Sequence, residues 1–332
     1  MSPGARVSVI GMGGTIAMAP SASGGIVPSL AAGDLVASVP GLADLDVDIT
    51  AATLRSLPSP SLGFDDLVAL SDRVRAELAG GADGVVITHG TDTIEETAFF
   101  LDLTVPDDAP VVVTGAMRHP EAAGADGPAN LYAAIRVASS PAARGLGCLV
   151  VMSDEVHGAR FVRKSHTSST AAFVSPGFGP LGLVVEGDPR IRGAARPGLT
   201  LPAAPRVAQV RVGMITMALG DDGTLLRRAT AEPPAFDGLV IAGLGAGHVP
   251  AGLVPLVAEQ AARMPVVLST RTGAGSVLRR TYGYPGSERD LLERGLILSG
   301  FLDPAKARIL LQLLLASGAD DGAITSAFEL FR

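Results

Sequence analysis

The sequence predicts a two-domain α/β protein, with a larger N-terminal, mostly parallel sheet flanked by helices and a smaller C-terminal α/β domain. Three observations carry this. Short apolar runs alternate with stretches of helical periodicity from residue 7 to about 186, the pattern of a parallel sheet covered by helices on both faces. Residues 188–206 are rich in Pro, Gly and Arg, follow neither period, and read as an inter-domain linker. The α/β theme then resumes on a smaller scale. The expected domains are therefore 1–187 and 207–332, in a chain of 332 residues that exceeds one average domain.

Each element has a local reason. Residues 7–10 form an apolar strand. Leu67, Leu70, Val74 and Leu78 lie on one helical face, and Asp65 and Asp66 suit its first turn by opposing the helix dipole. Strands are expected at 84–88, 111–114 and 148–152, with helices at 94–103 and 128–137 between them. Thr93 and Glu96 have the spacing of a capping box for the first of these helices. Cys148, the single cysteine, sits in a strand-like run and reads as a small buried hydrophobe. In the second domain strands are expected at 210–216, 238–243 and 265–269. Helices are expected at 251–263 and 304–317, the latter opened by Asp303 as cap and Pro304 at its first position.

Composition narrows the partners. A net charge of −7 opposes a phosphate-backbone partner, and with 4% aromatic residues and no Trp there is little to stack on bases. No run approaches the roughly 18 consecutive apolar residues of a membrane span, and a lone cysteine suits a reducing compartment. A cytoplasmic protein without nucleic-acid or membrane partners is expected. The five histidines show no ligand pairing at i, i+4, so no metal is expected. The glycine run 11–14 follows the first strand, but Ile16 occupies the third glycine position of a dinucleotide fingerprint. Arg163 likewise fills the position before Lys164 where a P-loop requires Gly. No cofactor is expected.

The most informative run is 88–93, Thr-His-Gly-Thr-Asp-Thr, placed where a strand hands over to a helix. Thr91 and Asp92 then sit at the carboxyl end of a strand, where open α/β sheets place their ligands. Lys164 lies in a polar segment beside several hydroxyls and is a candidate general base. His248, just past a strand, either lines a site or caps a loop.

Taken together these segments resemble the bacterial-type L-asparaginase (asparaginase/glutaminase) family. The likeness begins at 13–17 (Gly-Gly-Thr-Ile-Ala) and continues through 89–93, 113–118 and 125–131. Residues 179–182 and the 303–308 run Asp-Pro-Ala-Lys-Ala-Arg complete it. The resemblance implies cofactor-free hydrolysis of the side-chain amide of L-asparagine to L-aspartate and ammonia. It implies a homotetramer built of intimate dimers, with the active site between the N-terminal domain of one subunit and the C-terminal domain of its partner. By the same resemblance Thr15 is the nucleophile, and Thr91 is the second catalytic threonine, grouped with Asp92 and Lys164. Ser59 contacts the substrate α-carboxylate, Asp92 binds the α-ammonium, and the Ala116 carbonyl faces the scissile amide. The family normally carries an activating tyrosine in the loop after the first threonine, but residues 17–34 contain none here. The Gly, Ser and Ala in that loop suit a mobile lid. Tyr282 and Tyr284 are the candidates to replace the hydroxyl, with His248 as a further accessory residue. The alternatives are a related amidase preferring L-glutamine or a D-amino acid, or a non-catalytic amino-acid-binding regulatory protein.

Overall fold

The first apolar run becomes a strand, β1 (Ala5–Gly13), buried from Val7 onward. The structure is a computed structural model that describes residues 4–20, 25–106, 108–193, 199–203, 205–231 and 235–332. A 3₁₀ turn at Thr15–Ala17 leads from β1 into a hairpin of β2 (Met18–Pro20) and β3 (Ile26–Pro28). Residues 21–24 of the expected lid lie outside the described residues. Helix α1 (Ala32–Ala37), strand β4 (Val47–Leu57) and helix α2 (Phe64–Ala79) follow. Then come β5 (Gly84–Thr88), α3 (Ile94–Thr104), β6 (Val111–Thr114), α4 (Gly127–Ala138) and β7 (Cys148–Met152). The remaining strands of this unit are β8 (Glu155–Gly158), β9 (Arg163–Lys164), β10 (Phe173–Val174), β11 (Gly182–Val185) and β12 (Asp188–Ile191).

Eight strands form the large sheet in the order β12-β11-β8-β7-β6-β5-β1-β4. The five from β7 to β4 are parallel, and β8, β11 and β12 extend it antiparallel. Alternation along the parallel strands serves both faces, as expected of a sheet buried on two sides. Val7, Val9, Val86, Val112, Leu149 and Val151 share one core with Leu131, Ala134 and Ile135 of α4 and Leu35 of α1. Ile10, Val85, Ile87, Val111, Val113 and Val150 share the other with Leu70 and Val74 of α2 and Ile94, Ala98 and Leu101 of α3. Cys148 belongs to that second core and is buried. Register matters for function. Gly11 pairs with Thr88, and Thr88 pairs with Thr114, so three parallel strands end level with one another. The segments that follow them, at 12–15, 89–92 and 115–117, leave from one edge.

The chain divides into two compact units, Met1–Thr200 and Leu201–Arg332. This division falls inside the stretch expected as a linker, and the beginning of that stretch is ordered. Residues 188–191 form β12, paired antiparallel with β11 through the register Gly182↔Ile191 to Val185↔Asp188. Arg136 of α4 also donates to Asp188 Oδ1 at 2.8 Å and ties the strand to the first unit. Pro and Gly content hid an edge strand, where Pro189 is tolerated because edge N–H groups need no partner.

The second unit is a parallel sheet of β13 (Val212–Thr216), β14 (Gly238–Gly243), β15 (Val266–Thr270) and β16 (Ile297–Leu298) in sequential order. Its helices are α5 (Thr224–Ala229), α6 (Val254–Ala261), α7 (Glu288–Glu293), α8 (Pro304–Ala316) and α9 (Asp321–Glu329). The Asp303 carboxylate accepts the N–H groups of Ala305 and Lys306 at 3.0 Å each and caps α8 as the sequence predicts. Residues 251–263 do not form one helix, since a 3₁₀ turn at Ala251–Leu253 precedes α6. Among the described residues no helix is long and apolar enough to cross a membrane.

Candidate active site

The edge where β1, β5 and β6 end is built by backbone approaches that only glycine permits. Gly14 has φ +79° and ψ −176°, a region essentially reserved for glycine. A Cβ there would lie 2.2 Å from Gly90 Cα. A Cβ on Gly90 would in turn lie 2.5 Å from Ser59 Oγ. The threonine segment after β1, the turn after β5 and the Ser59–Ser61 3₁₀ turn are therefore stacked against one another. That brings the segments of Thr15, Ser59 and Thr91 into one neighbourhood. Thr15 is half-buried, and Ser59 and Thr91 are buried.

Lys164 joins them from elsewhere in the chain. It lies on β9, which is held by β10 through the pair Phe173↔Lys164. The Lys164 backbone N–H donates to Glu95 Oε2 of α3 at 2.7 Å. So anchored, its Nζ donates to Thr91 Oγ1 at 2.9 Å and to Asp92 Oδ1 at 2.7 Å. Among the described residues, the Thr15 hydroxyl pairs with no side chain, so Thr91 alone of the two threonines is engaged. Sequence placed Lys164 in a polar segment. The two-residue strand that fixes it is too short to leave a period.

The turn carrying Thr91 is held from behind. His89 is fully buried, with Nδ1 2.8 Å from Gly90 O and Nε2 3.0 Å from Thr97 Oγ1. A carbonyl only accepts, so Nδ1 carries the hydrogen and Nε2 accepts from Thr97. Burial holds the His89 pKa down to about 4, against its one favourable contact with Gly90. His157, buried on β8 beside Ser175, is likewise pushed down to about 4 by burial. Both imidazoles therefore stay neutral in the folded protein.

That has a measurable consequence. Between pH 6.5 and about 4 the unfolded chain binds protons at these sites that the folded chain does not. Their contribution to stability is complete above pH 6.5 and is lost as pH falls toward 4, at up to about 1.4 kcal/mol per pH unit for each site. Urea midpoints at about pH 7 and about pH 5 measure this, with a lower midpoint expected at the acid end. An unchanged midpoint would contradict it.

Ala116 is fixed as tightly. Asp126 accepts the N–H of Met117 at 3.0 Å and of Arg118 at 2.9 Å. Asn130 Nδ2 donates to Gly115 O at 3.0 Å, and its Oδ1 accepts the Ser153 N–H at 2.9 Å. The peptide on either side of Ala116 is thus clamped, and its carbonyl direction is set. Sequence reasoning gave Asp126 and Asn130 no role of their own. No local signal marks them, since Asp126 does not cap the helix it precedes but reaches back eight and nine residues to Arg118 and Met117.

One expectation is corrected. Thr93 does not close a capping box, since its side chain makes no cap hydrogen bond. Its hydroxyl donates to Ser59 O at 3.3 Å instead. The competing acceptor belongs to the stacked 3₁₀ turn, which sequence spacing cannot reveal.

Three clustered functional groups, a hydroxyl, a carboxylate and a lysine, now meet at the carboxyl ends of parallel strands. Two family models cover the chain in the same order. "Asparaginase, N-terminal" matches residues 6–196, and "Glutaminase/Asparaginase C-terminal domain" matches 211–328. The chain belongs to the asparaginase family. A probable L-asparaginase of Deinococcus radiodurans is 41% identical over 97% of this chain and 97% of its own length. A glutaminase-asparaginase of Pseudomonas fluorescens is 34% identical over 98% of this chain and 90% of its own. Among solved structures, a probable cytoplasmic L-asparaginase from Campylobacter jejuni superposes with a TM-score of 0.86 at 32% identity, covering 98% of this chain and 99% of that one. Asparaginase relatives thus share both units and their order.

The accessory candidates Tyr282, Tyr284 and His248 lie together in the second unit. The Tyr284 hydroxyl is 2.8 Å from His248 Nδ1, and the Tyr282 ring packs edge-on against the same imidazole at 5.0 Å. Glu288, which sequence reasoning passed over, lies 3.2 Å from His248 Nε2. It stands in a charged run with Arg289 and Asp290, and nothing in the sequence marks it as the buried member. Among the described residues no three His, Cys, Asp or Glu side chains converge as a metal site.

Proposed function

We propose that the protein is an L-asparaginase that hydrolyses the side-chain amide of L-asparagine to L-aspartate and ammonia through a threonine nucleophile. The observation that carries this reading is the Lys164 Nζ contact to both Thr91 Oγ1 and Asp92 Oδ1. A pure binder needs no lysine on a threonine hydroxyl. A hydrolase does, because an unassisted hydroxyl is a weak nucleophile and needs a base.

The chemistry divides into two displacements. The Thr15 hydroxyl attacks the amide carbon, the C–N bond breaks, and ammonia leaves an acyl-threonine. Water then attacks the ester. Lys164 is the base of this second step, taking a proton through Thr91, and Asp92 holds the ammonium that forms. The Ala116 carbonyl, its direction set by Asp126 and Asn130, accepts from the amide N–H₂ of the substrate. Ser59 donates to the α-carboxylate and Asp92 accepts from the α-ammonium, so ligands lacking either charge leave a polar group unpaired. No cofactor enters this scheme. We further propose a cytoplasmic homotetramer of intimate dimers, testable by light scattering of the purified protein.

Side-by-side ammonia release from L-asparagine, L-glutamine and D-asparagine tests the substrate. The highest kcat/KM is expected for L-asparagine. A higher value for either of the others overturns the assignment, and binding of L-asparagine without ammonia release would make the protein a regulatory binder.

A further inference from the structure

Strands β7 and β8 are joined by only two residues. Met152 pairs with Glu155, which leaves Ser153 and Asp154 as the hairpin loop. Both have positive φ, +50° and +61°, the backbone of the mirror-image turn that fits the twist of a two-residue hairpin. Gly and Asn favour that conformation, and most other side chains resist it. Serine is not among the residues favoured at its first position, so something else must account for Ser153.

The Ser153 hydroxyl supplies a bond that glycine could not. Its Oγ donates to Thr170 O at 2.7 Å, and its backbone N–H donates to Asn130 Oδ1 at 2.9 Å. The turn thus touches two parts of the site in the first unit. Through Asn130, whose Nδ2 donates to Gly115 O at 3.0 Å, it backs the peptide before Ala116. Through Thr170 it reaches the loop between β9 and β10, the hairpin that carries Lys164.

That loop is organised internally. The Ser165 N–H donates to Ala172 O at 2.7 Å, and His166 Nδ1 accepts the N–H groups of Ser168 and Ser169 at 3.1 and 2.9 Å. The Lys164 N–H on Glu95 ties its start to α3, and the Ser153 hydroxyl ties its far end to the β7–β8 turn. A segment fixed at both ends keeps its orientation, whereas one fixed at a single end pivots about it. Lys164 Nζ must reach Thr91 Oγ1 and Asp92 Oδ1 together, and a pivoting hairpin meets that demand only part of the time.

We propose that Ser153 is a positioning residue for the water step, its hydroxyl holding the Lys164 hairpin through Thr170 O so that Nζ stays on Thr91 and Asp92. This rests on the asparaginase reading above. The side chain serves Lys164 alone, because the bond to Asn130 comes from the main chain and survives any substitution but proline.

The test uses the full-length protein as wild type, Ser153→Gly, Ser153→Thr and Asp154→Gly, with L-asparagine. Glycine suits the positive φ and removes only the hydroxyl, so Ser153→Gly is expected to fold. Its kcat is expected to fall about 10-fold. KM should fall in proportion, because slowing only the water step accumulates the acyl-threonine. The ratio kcat/KM reports the steps up to acylation and is expected within about twofold of wild type, a split that general damage does not produce. Threonine keeps the hydroxyl at a φ that a β-branched residue resists, so Ser153→Thr should melt lower yet keep kcat within about threefold. Asp154→Gly is the control, since the Asp154 side chain makes no hydrogen bond among the described residues, and it should keep wild-type kcat and KM. Wild-type kcat in Ser153→Gly overturns the proposal, as does a kcat/KM that falls along with kcat. Hydrogen exchange of residues 165–172 reads the tether without turnover, and faster exchange is expected in Ser153→Gly but not in Asp154→Gly. Unchanged exchange in Ser153→Gly, in an enzyme whose wild type is active, refutes the proposal alone. Faster exchange in a protein whose wild type releases no ammonia from L-asparagine refutes the asparaginase reading, and the task of Ser153 with it.

Discussion

Lys164→Met is expected to lower steady-state turnover of L-asparagine by about 10³-fold or more. Methionine keeps an unbranched stem but removes the nitrogen that reaches both Thr91 and Asp92. The fold is expected to survive, because the anchor of this strand is the Lys164 backbone N–H on Glu95, which the substitution leaves intact. The signature sets this apart from general damage. If Lys164 serves the water step, acylation continues and the variant releases about one ammonia per site before it stalls. Mass spectrometry of the stalled protein should then show an added aspartyl group on Thr15. A variant whose kcat stays within tenfold of wild type would remove Lys164 from the reaction.

Gly14→Ala is expected to force apart the segments that carry Thr15 and Thr91. The substitution meets two independent penalties. Its φ of +79° and ψ of −176° are adopted by almost no residue but glycine, at roughly 1–3 kcal/mol. The new Cβ would also lie 2.2 Å from Gly90 Cα and 2.3 Å from Gly90 N. Both obstacles are backbone, so no side-chain rotation relieves them, and the Thr15 and Thr91 segments must separate. A loss of about 3 kcal/mol or more, with a Tm lower by about 5–10 °C, is expected, together with loss of turnover. Gly33→Ala is the control, since Gly33 is an exposed position of α1 with nothing within 4 Å of its Cβ. Calorimetric melts of both variants decide the matter, and equal Tm values would refute the stacking of the two segments.

The readable and the hidden parts of this molecule differ in physical kind. Strands β5, β6 and β7 were legible to the residue, because a strand buried on both faces is a continuous apolar run bounded by turn residues. Strand β4 was not, since at the sheet edge its residues Val47–Leu57 mix Asp, Thr and Arg with Val and Leu and stay half exposed. The antiparallel strands β8, β11 and β12 were hidden for a related reason, being short and interrupted by Gly and Pro. The Thr91–Asp92 turn was legible from local order alone, a strand followed by hydroxyls and a helix. Its partners were not. Lys164 is 73 positions from Thr91, and the contact depends on a two-residue hairpin. Glu288 reads as one surface charge among several and proves to be fully buried. Roles that depend on long-range contact reached the sequence reading only through the family resemblance.

The most direct measurement is ammonia and L-aspartate release from L-asparagine by the purified protein and its Thr15→Ala variant. Equimolar ammonia and aspartate from the wild type, with turnover lost in the variant, is the expected result. Full turnover in the variant would contradict Thr15 as the nucleophile, and no turnover in the wild type would contradict the asparaginase assignment itself.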